Sequence, residues 1–318
     1  MLLNYCRRLS ILTLLVVPFL SQASISNSSE KSAKPPLTLE VKKTVTDSAT
    51  FLQSQLNTHM QNSAQWLDQL LVSEGSEKTR ATAKGYVSLG FAPRARDLSD
   101  FDNQFKVSLD LPNLENKLSV IIDNDEAEED RLPFQSISGQ DQDNHVNAAL
   151  NWYMLQKQRL NIEHRIGVSR SNLYAQSRLK YQQNIEKWRF TVSPSIEYYI
   201  EDGWGGRVNT RLDRQIERDQ TLNFAFNTRY VESEPTNRVS FGIFHSHTYN
   251  NDQAGVTGVW LKDSFSGERS YYASYRWRTR FFEHWLFFEA EPFVEFRERY
   301  DFDDEPGIAL RLIAYYGV

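Results

Sequence analysis

Charged residues at every second position are the first candidates for a functional site. In the stretch YRWRTRFFEHWLFFEAEPFVEFRER, residues 275–299, three arginines spaced two apart precede a central turn, and three glutamates that share one parity follow it: Arg276, Arg278, Arg280, Glu289, Glu291 and Glu295. Residues two apart share one face of a β-strand, whereas in a helix they would spread around the axis. With the turn at Glu283-His284, Arg278 falls opposite Glu289 and Arg276 falls opposite Glu291. The pattern predicts a hairpin with a ladder of complementary charges on one face.

A second candidate is the segment FHSHTY, residues 244–249, where two imidazoles flank a hydroxyl. Such a set could serve a lipid hydrolase. However, neighbouring residues of a strand point to opposite faces, so Ser246 would face inward while His245 and His247 face outward. A serine–histidine pair needs hydrogen-bonding distance, which this arrangement does not offer. We therefore favour interfacial histidines and assign no catalytic residue.

Acidic loops are the third candidate, because carboxylate oxygens are ligands for Ca²⁺ and Mg²⁺. The residues that could hold a divalent cation are Asp123, Asp125, Glu126, Asp301, Asp303 and Asp304. Their spacing lacks the glycine turn of an EF-hand loop, so a solvated acidic surface is the favoured interpretation and no metal is assigned. The sequence contains no Walker loop, dinucleotide fingerprint or zinc-type cluster, and we expect no cofactor. The net charge of −5, without a basic stripe, argues against nucleic acid as a partner.

The amino-terminal sequence MLLNYCRRLSILTLLVVPFLSQAS is typical of a secretory signal peptide. Arg7 and Arg8 precede an apolar run, and small residues follow it. The run is shorter than the roughly 20 residues of a membrane-spanning helix. We assign residues 1–23 to the signal peptide. The only cysteine, Cys6, lies within it, so the mature chain can form no disulfide.

Residues 24–80 are interpreted as a polar linker followed by an amphipathic helix. The linker SISNSSEKSAKPPL is rich in serine and lysine and is closed by two prolines. Apolar residues then recur at helical spacing from Val45 to Leu70. The stripe could form a coiled-coil seam, but we favour a helix that lies on a neighbouring surface. We expect this helix on the periplasmic side, with the barrel lumen as the alternative position.

From residue 81 to residue 318 the apolar period is two, as in β-strands. In VNAALNWYM, residues 146–154, the apolar positions alternate with small or polar ones. No segment of helical length interrupts the pattern. We predict an all-β fold, an antiparallel barrel of about fourteen strands with twelve as the fallback, joined by hairpins with short turns on one side and longer loops on the other.

Alternation alone does not decide which face is inside, but three features favour a polar interior. Long charged residues occupy the polar face, and a single barrel of this strand number is too wide to be filled by apolar side chains. Aromatic residues also fall near the strand ends, where membrane proteins carry interfacial girdles: Trp152, Trp188, Tyr198, Trp204, Tyr230, Tyr249, Tyr271, Trp285 and Tyr300. The sequence therefore predicts a transmembrane β-barrel in the outer membrane of a Gram-negative cell.

The segments SLDLPNLENKLSVIIDND, YRWRTRFFEHWLFFEAEPFVEF and DDEPGIALRLIAYYG resemble matching segments in a family of uncharacterised exported proteobacterial outer-membrane proteins. The helix end QWLDQLL is similar to that family too. The resemblance covers most of the mature chain, and WLFFEAEP is its most specific part. It implies a barrel and no particular activity. One departure is the carboxy-terminus, which ends in Gly317-Val318, whereas outer-membrane barrels commonly end on an aromatic residue.

Three functional hypotheses follow. The first is a non-enzymatic barrel whose charged lumen is a channel for small polar solutes, or which is an envelope scaffold. The second is a lipid-modifying hydrolase of the outer membrane, and the third is a soluble periplasmic β-protein. For the favoured first hypothesis, the expected partners are outer-membrane lipids, lipopolysaccharide and the outer-membrane assembly machinery.

Overall fold

The computed structural model is a closed antiparallel barrel of fourteen strands. The structure describes residues 82–98, 100–111, 118–124, 131–135, 146–169, 172–233, 237–264 and 269–317. The strands are β1 Thr82–Phe91, β2 Phe101–Leu111, β3 Leu118–Asp123, β4 Asn147–Gln156, β5 Leu160–Ser169, β6 Asn172–Ile185, β7 Trp188–Tyr199, β8 Gly203–Gln215, β9 Gln220–Val231, β10 Arg238–Asn250, β11 Gln253–Ser264, β12 Ser270–Arg280, β13 Leu286–Arg297 and β14 Asp304–Tyr316. Each strand pairs with its neighbours in sequence, and β1 pairs with β14. The prediction of about fourteen hairpin-connected strands is confirmed.

The signal peptide, the linker and the amphipathic helix predicted for residues 1–80 lie outside the described residues. Within the described ranges the only helical element is the 3₁₀ turn Glu298–Tyr300. No helix in that part of the chain is both long enough and apolar enough to cross a membrane.

Most apolar residues of the strands face outward, and most polar residues face inward. In β4, Met154 is 58% exposed, whereas Asn151 is only 1% exposed. Leu89 of β1 and Ile196 of β7 are exposed in the same way, whereas Leu109 and Leu111 of β2 are exceptions because both are buried. A soluble protein of this size would bury such side chains, because burial of apolar surface is the main stabilising contribution to folding. The arrangement is the inverse of a soluble core and is typical of membrane-spanning barrels.

Most of the predicted girdle aromatics are exposed on the outer face near strand ends, including Trp152, Trp204 and Tyr230. Trp285 is an exception, because only 5% of it is exposed. It closes the turn between β12 and β13, and its carbonyl oxygen accepts a hydrogen bond of 2.8 Å from the backbone N–H of Tyr315 in β14. The prediction of an interfacial Trp285 is therefore wrong, since this residue is packed within the turn.

The barrel closes where β1 meets β14, and a glycine makes room for the closing contact. Gly85 pairs with Tyr316, and the Tyr316 hydroxyl donates a hydrogen bond of 2.8 Å to the Lys106 carbonyl oxygen of β2. A Cβ atom at position 85 would lie 2.1 Å from that hydroxyl. The aromatic ring thus crosses the glycine and links three consecutive strands of the closed barrel.

The two ends of the barrel differ. Short turns at residues 157–159, 186–187, 216–219, 251–252 and 281–285 lie at the end where β1 begins and β14 ends. The connection from β3 to β4 spans residues 124–146 and starts at the opposite end, together with the connection at residues 298–303. We call these the turn end and the loop end.

Candidate functional site: the inner face of the barrel

The arginines and glutamates of the β12–β13 hairpin meet on the inner face. Arg278 is the direct cross-strand partner of Glu289, and its guanidinium lies 2.6 Å from that carboxylate. Arg276 Nε donates to Glu291 Oε2 at 3.2 Å. Both glutamates are fully buried. The turn sets the register of this hairpin, and both pairs could therefore be predicted from the number of residues on each side of the turn.

The remaining two residues of the predicted ladder have other partners. Arg280 lies 3.0 Å from Asp252, in the turn between β10 and β11. Glu295 lies 3.3 Å from Arg94, which follows β1, and 3.1 Å from Arg297 of its own strand. The charged residues therefore form a network over several strands, and the hairpin is one part of it.

Arg311 of β14 is the centre of this network, although the charge pattern of the β12–β13 hairpin gives no indication of it. Its Nη1 donates to Glu291 Oε2 at 2.7 Å, its Nε donates to Asp102 of β2, and it lies 3.7 Å from Glu289. Arg311 is 2% exposed. The alternation in β14 does predict that Arg311 faces inward, because it stands between Leu310 and Leu312, which both face outward.

A second buried ion pair lies on the opposite wall. Arg207 of β8 is 3.1 Å from Glu197 of β7, and both side chains are almost completely enclosed. Gln176 of β6 donates to the same carboxylate at 2.9 Å, and the Tyr199 hydroxyl donates to it at 3.2 Å. Buried charges require such partners, since an uncompensated ion in the interior is costly.

Residues 131–135, from the connection between β3 and β4, enter the barrel and pack on its inner wall. Leu132 is buried in an apolar cluster with Phe244 of β10 and Trp260 of β11. The carbonyl oxygen of Phe134 accepts a hydrogen bond of 3.4 Å from Arg276. Burial lowers the pKa of Arg131 to about 10, with contributions from the neighbouring cations of β12 and β14. At neutral pH Arg131 remains protonated.

Four aromatic rings on adjacent strands form a row within the apolar cluster: Phe244, Trp260, Tyr272 and Phe293. We call this row the aromatic file. Successive ring centroids are 5.7 Å, 4.1 Å and 5.1 Å apart. Gly258 leaves the space for Phe244, because a Cβ atom there would lie 2.5 Å from its ring. The charge pattern of the strands predicts a polar inner face and does not indicate this file of aromatic rings, because its members stand at inward-facing positions among charged residues.

Two cavities with largely polar linings adjoin the wall formed by β4 to β10. The first, of about 600 Å³, is lined by Tyr153, Gln156, Lys157, Asn161, Glu163, Arg178, Lys180, Ser193 and Asn209. The second, of about 490 Å³, is lined by Phe134, Asn184, Glu186, Lys187, Trp188, Arg189, Arg211, Asp213, Gln215, Thr221 and Ser246. Both are rich in polar groups and reach the turn end of the barrel, so small hydrophilic molecules could occupy them.

Ser246 and its two histidine neighbours point to opposite faces. Ser246 lines the second cavity, and its hydroxyl donates a hydrogen bond of 3.4 Å to the Thr221 carbonyl oxygen. His245 contacts Gln220 at 3.2 Å, and His247 contacts Asp219 at 3.0 Å. No hydrogen bond joins Ser246 to either imidazole, so the segment shows no serine–histidine pair.

The acidic residues are divided between two connections. Asp123 ends β3 and accepts a hydrogen bond of 3.1 Å from Asn147, whereas Asp303 lies 3.6 Å from Arg96 in the connection after β13. Asp125 and Glu126 lie outside the described residues. Among the residues that the structure describes, no group of three or more histidine, cysteine or acidic side chains could hold a metal ion. The favoured interpretation of these residues, a solvated acidic surface, stays a prediction.

The sequence matches no family model and no curated protein. The structure does match solved structures. One is the loop L8 deletion mutant of OmpT, an outer membrane protein of Vibrio cholerae, with a TM-score of 0.52, 7% identity, and coverage of 74% of this chain and 99% of that one. The fold is that of an outer-membrane β-barrel.

Two further matches are more distant. In-vitro folded OmpT of Vibrio cholerae has a TM-score of 0.48 at 8% identity, covering 77% of this chain and 100% of that one. The outer membrane channel DcaP of Acinetobacter baumannii has a TM-score of 0.48 at 7% identity, with the same coverage. At these identities the likeness concerns the fold alone.

Proposed function

We propose that this protein is an outer-membrane channel for small polar solutes. The observation that carries the proposal is the inverted arrangement of the barrel, with exposed apolar side chains such as Met154 and Ile196 outside and buried polar ones such as Asn151 and Arg311 inside. A closed barrel leaves no unpaired strand edge in the hydrocarbon region, and its polar interior can hold water. These properties suit a pore better than a soluble protein.

The dimensions of the cavities on the inner face suit the passage of small molecules and not of large ones. The cavities of about 600 Å³ and about 490 Å³ are of the size that small ligands occupy in proteins. Residues 131–135 occupy part of the cross-section of the barrel, because Leu132 packs against Phe244 on the inner face of β10. We infer that this segment narrows the channel and sets an upper limit on solute size.

At the proposed location, the protein would contact the partners that are expected from the sequence. The exposed apolar outer face would contact outer-membrane lipids, with the aromatic residues near the strand ends at the membrane interfaces. Lipopolysaccharide would adjoin the loop end, and the outer-membrane assembly machinery would insert the barrel. We expect the protein to sediment with outer membranes and to migrate faster on a gel when unheated than when boiled.

Conductance measurements test the channel proposal. The full-length protein, purified from outer membranes of expressing cells, is added to a planar lipid bilayer in KCl, and a sample unfolded by boiling is the control. Stepwise increases in current are expected from the folded protein only. A protein that is heat-modifiable and correctly inserted, yet gives no current and no uptake of sugars into vesicles, would instead be an envelope scaffold.

A further inference from the structure

The two walls of the barrel differ in their charge balance. On the wall that contains β12, β13, β14 and β2, buried carboxylates have arginine partners. Glu291 lies within 3.2 Å of both Arg276 and Arg311, and Glu289 lies 2.6 Å from Arg278. Acidic and basic groups of this wall thus compensate one another, and they leave little net charge to act on a solute.

The wall at the turn end of β4 to β8 carries more basic than acidic residues. Together the two cavities are lined by the cations Lys157, Arg178, Lys180, Lys187, Arg189 and Arg211 and by the anions Glu163, Glu186 and Asp213. Two of the anions already have partners there, since Glu163 lies 3.0 Å from Arg178 and Asp213 lies 3.0 Å from Arg211. Glu186 alone remains to balance four cations.

Those four cations are exposed to the cavity solvent: Lys157, Lys180, Lys187 and Arg189. Arg189 Nε donates to the neutral amide of Asn184 at 3.3 Å. In the described part of the chain, no ion pair joins any of the four to a carboxylate. We call this set the basic rim.

We propose that the basic rim binds anions and that the solutes of this channel are small carboxylates or phosphates. The inference rests on the proposed channel function for passage, whereas binding at the rim can be measured on its own. Cations along one wall of a polar cleft raise the local concentration of anions, because the low-dielectric walls focus their field. Lysine ammonium groups and the arginine fork are also the side chains that recognise carboxylate and phosphate oxygens.

Ion selectivity tests the proposal. The zero-current potential of the full-length protein in a KCl gradient gives the ratio of chloride to potassium permeability. We expect a ratio above one, and a decrease of about two-fold or more in the double variant Lys180→Gln/Arg189→Gln. Arg214→Gln is the matched control, because Arg214 is at the turn end of β8 with its guanidinium over the Trp188 ring and does not line either cavity. Its ratio should equal that of the unmodified protein.

Selectivity at two salt concentrations and a direct binding measurement distinguish the possible results. Raising KCl from about 0.1 M to about 1 M shortens the screening length from about 10 Å to about 3 Å, so the preference for chloride should weaken. Calorimetric titration with citrate should show binding that the double variant loses and Arg214→Gln keeps. A cation preference, or a double variant that matches the control in both assays, overturns the inference while leaving the channel intact. Citrate binding without conductance would support the rim and contradict the channel.

Discussion

At the scale of single residues, the charged groups of the inner face stabilise the barrel through pairs whose value depends on burial. Arg311 is enclosed with Asp102, Glu289 and Glu291, all of them buried. Removing one member of a buried ion pair leaves the partner uncompensated, at a cost of about 3 to 5 kcal/mol. Exposed pairs contribute only about 0 to 1 kcal/mol. The same chemical change should therefore have different effects at different depths.

We predict that Arg311→Leu lowers the free energy of unfolding by about 3 kcal/mol or more, because three carboxylates lose their shared cation. Urea unfolding of the protein in lipid vesicles measures this change. Arg280→Leu is the control, since Arg280 and its partner Asp252 are both partly exposed, and it should cost about 1 kcal/mol or less. If both variants unfold at the same urea concentration, Arg311 does not hold the network together.

At the scale of elements, residues 131–135 are held in the barrel by the buried side chain of Leu132, by the contact of the Phe134 ring with Phe244, and by the hydrogen bond from Arg276 to the Phe134 carbonyl oxygen. Leu132 is 4% exposed and packs beside Gly242 and Phe244 on β10. A carboxylate placed in that cluster would have no hydrogen-bonding partners to replace water, which costs several kcal/mol. The strands do not depend on this contact for their backbone pairing. The segment should therefore detach while the barrel persists.

We predict that Leu132→Asp increases the single-channel conductance, because residues 131–135 would no longer occupy the cross-section, while the shift on heating in a gel is retained. Leu98→Asp is the control, since Leu98 is 73% exposed in the connection after β1. Equal conductance in the two variants would show that the segment does not narrow the channel.

At the scale of the whole molecule, the even number of strands places the start of β1 and the end of β14 at the turn end. If the exported chain enters the membrane from the periplasm, the turn end stays periplasmic and the loop end faces outward. The mature chain predicted from the sequence contains no cysteine, so single cysteines can report the orientation without a background signal.

We predict that Asp202→Cys, in the connection between β7 and β8, reacts with an impermeant thiol reagent on intact cells. Glu128→Cys should react as well, since it belongs to the connection between β3 and β4 at the same end. His284→Cys, in the turn between β12 and β13, should react only after lysis. Labelling of His284→Cys on intact cells would invert the orientation.

The sequence by itself determined the features that depend on neighbours along the chain. Alternation with period two predicts strands and the faces of their side chains, since successive residues of a strand point to opposite sides. Short turns set the register of each hairpin, and Arg278 and Glu289, 11 residues apart, could therefore be paired from spacing. Strand number and charge on the polar face were enough to predict an inverted barrel.

Only the tertiary structure decided which distant residues meet inside the barrel. Arg311 and Asp102 are 209 residues apart and come together because β14 closes on β1, next to β2. Residues 131–135 cross to the aromatic file on β10 to β13 through a long connection whose path no local spacing specifies. The unequal charge of the two walls likewise appears only when strands far apart in sequence are arranged around one axis. These contacts depend on closure, and closure is a property of all fourteen strands together.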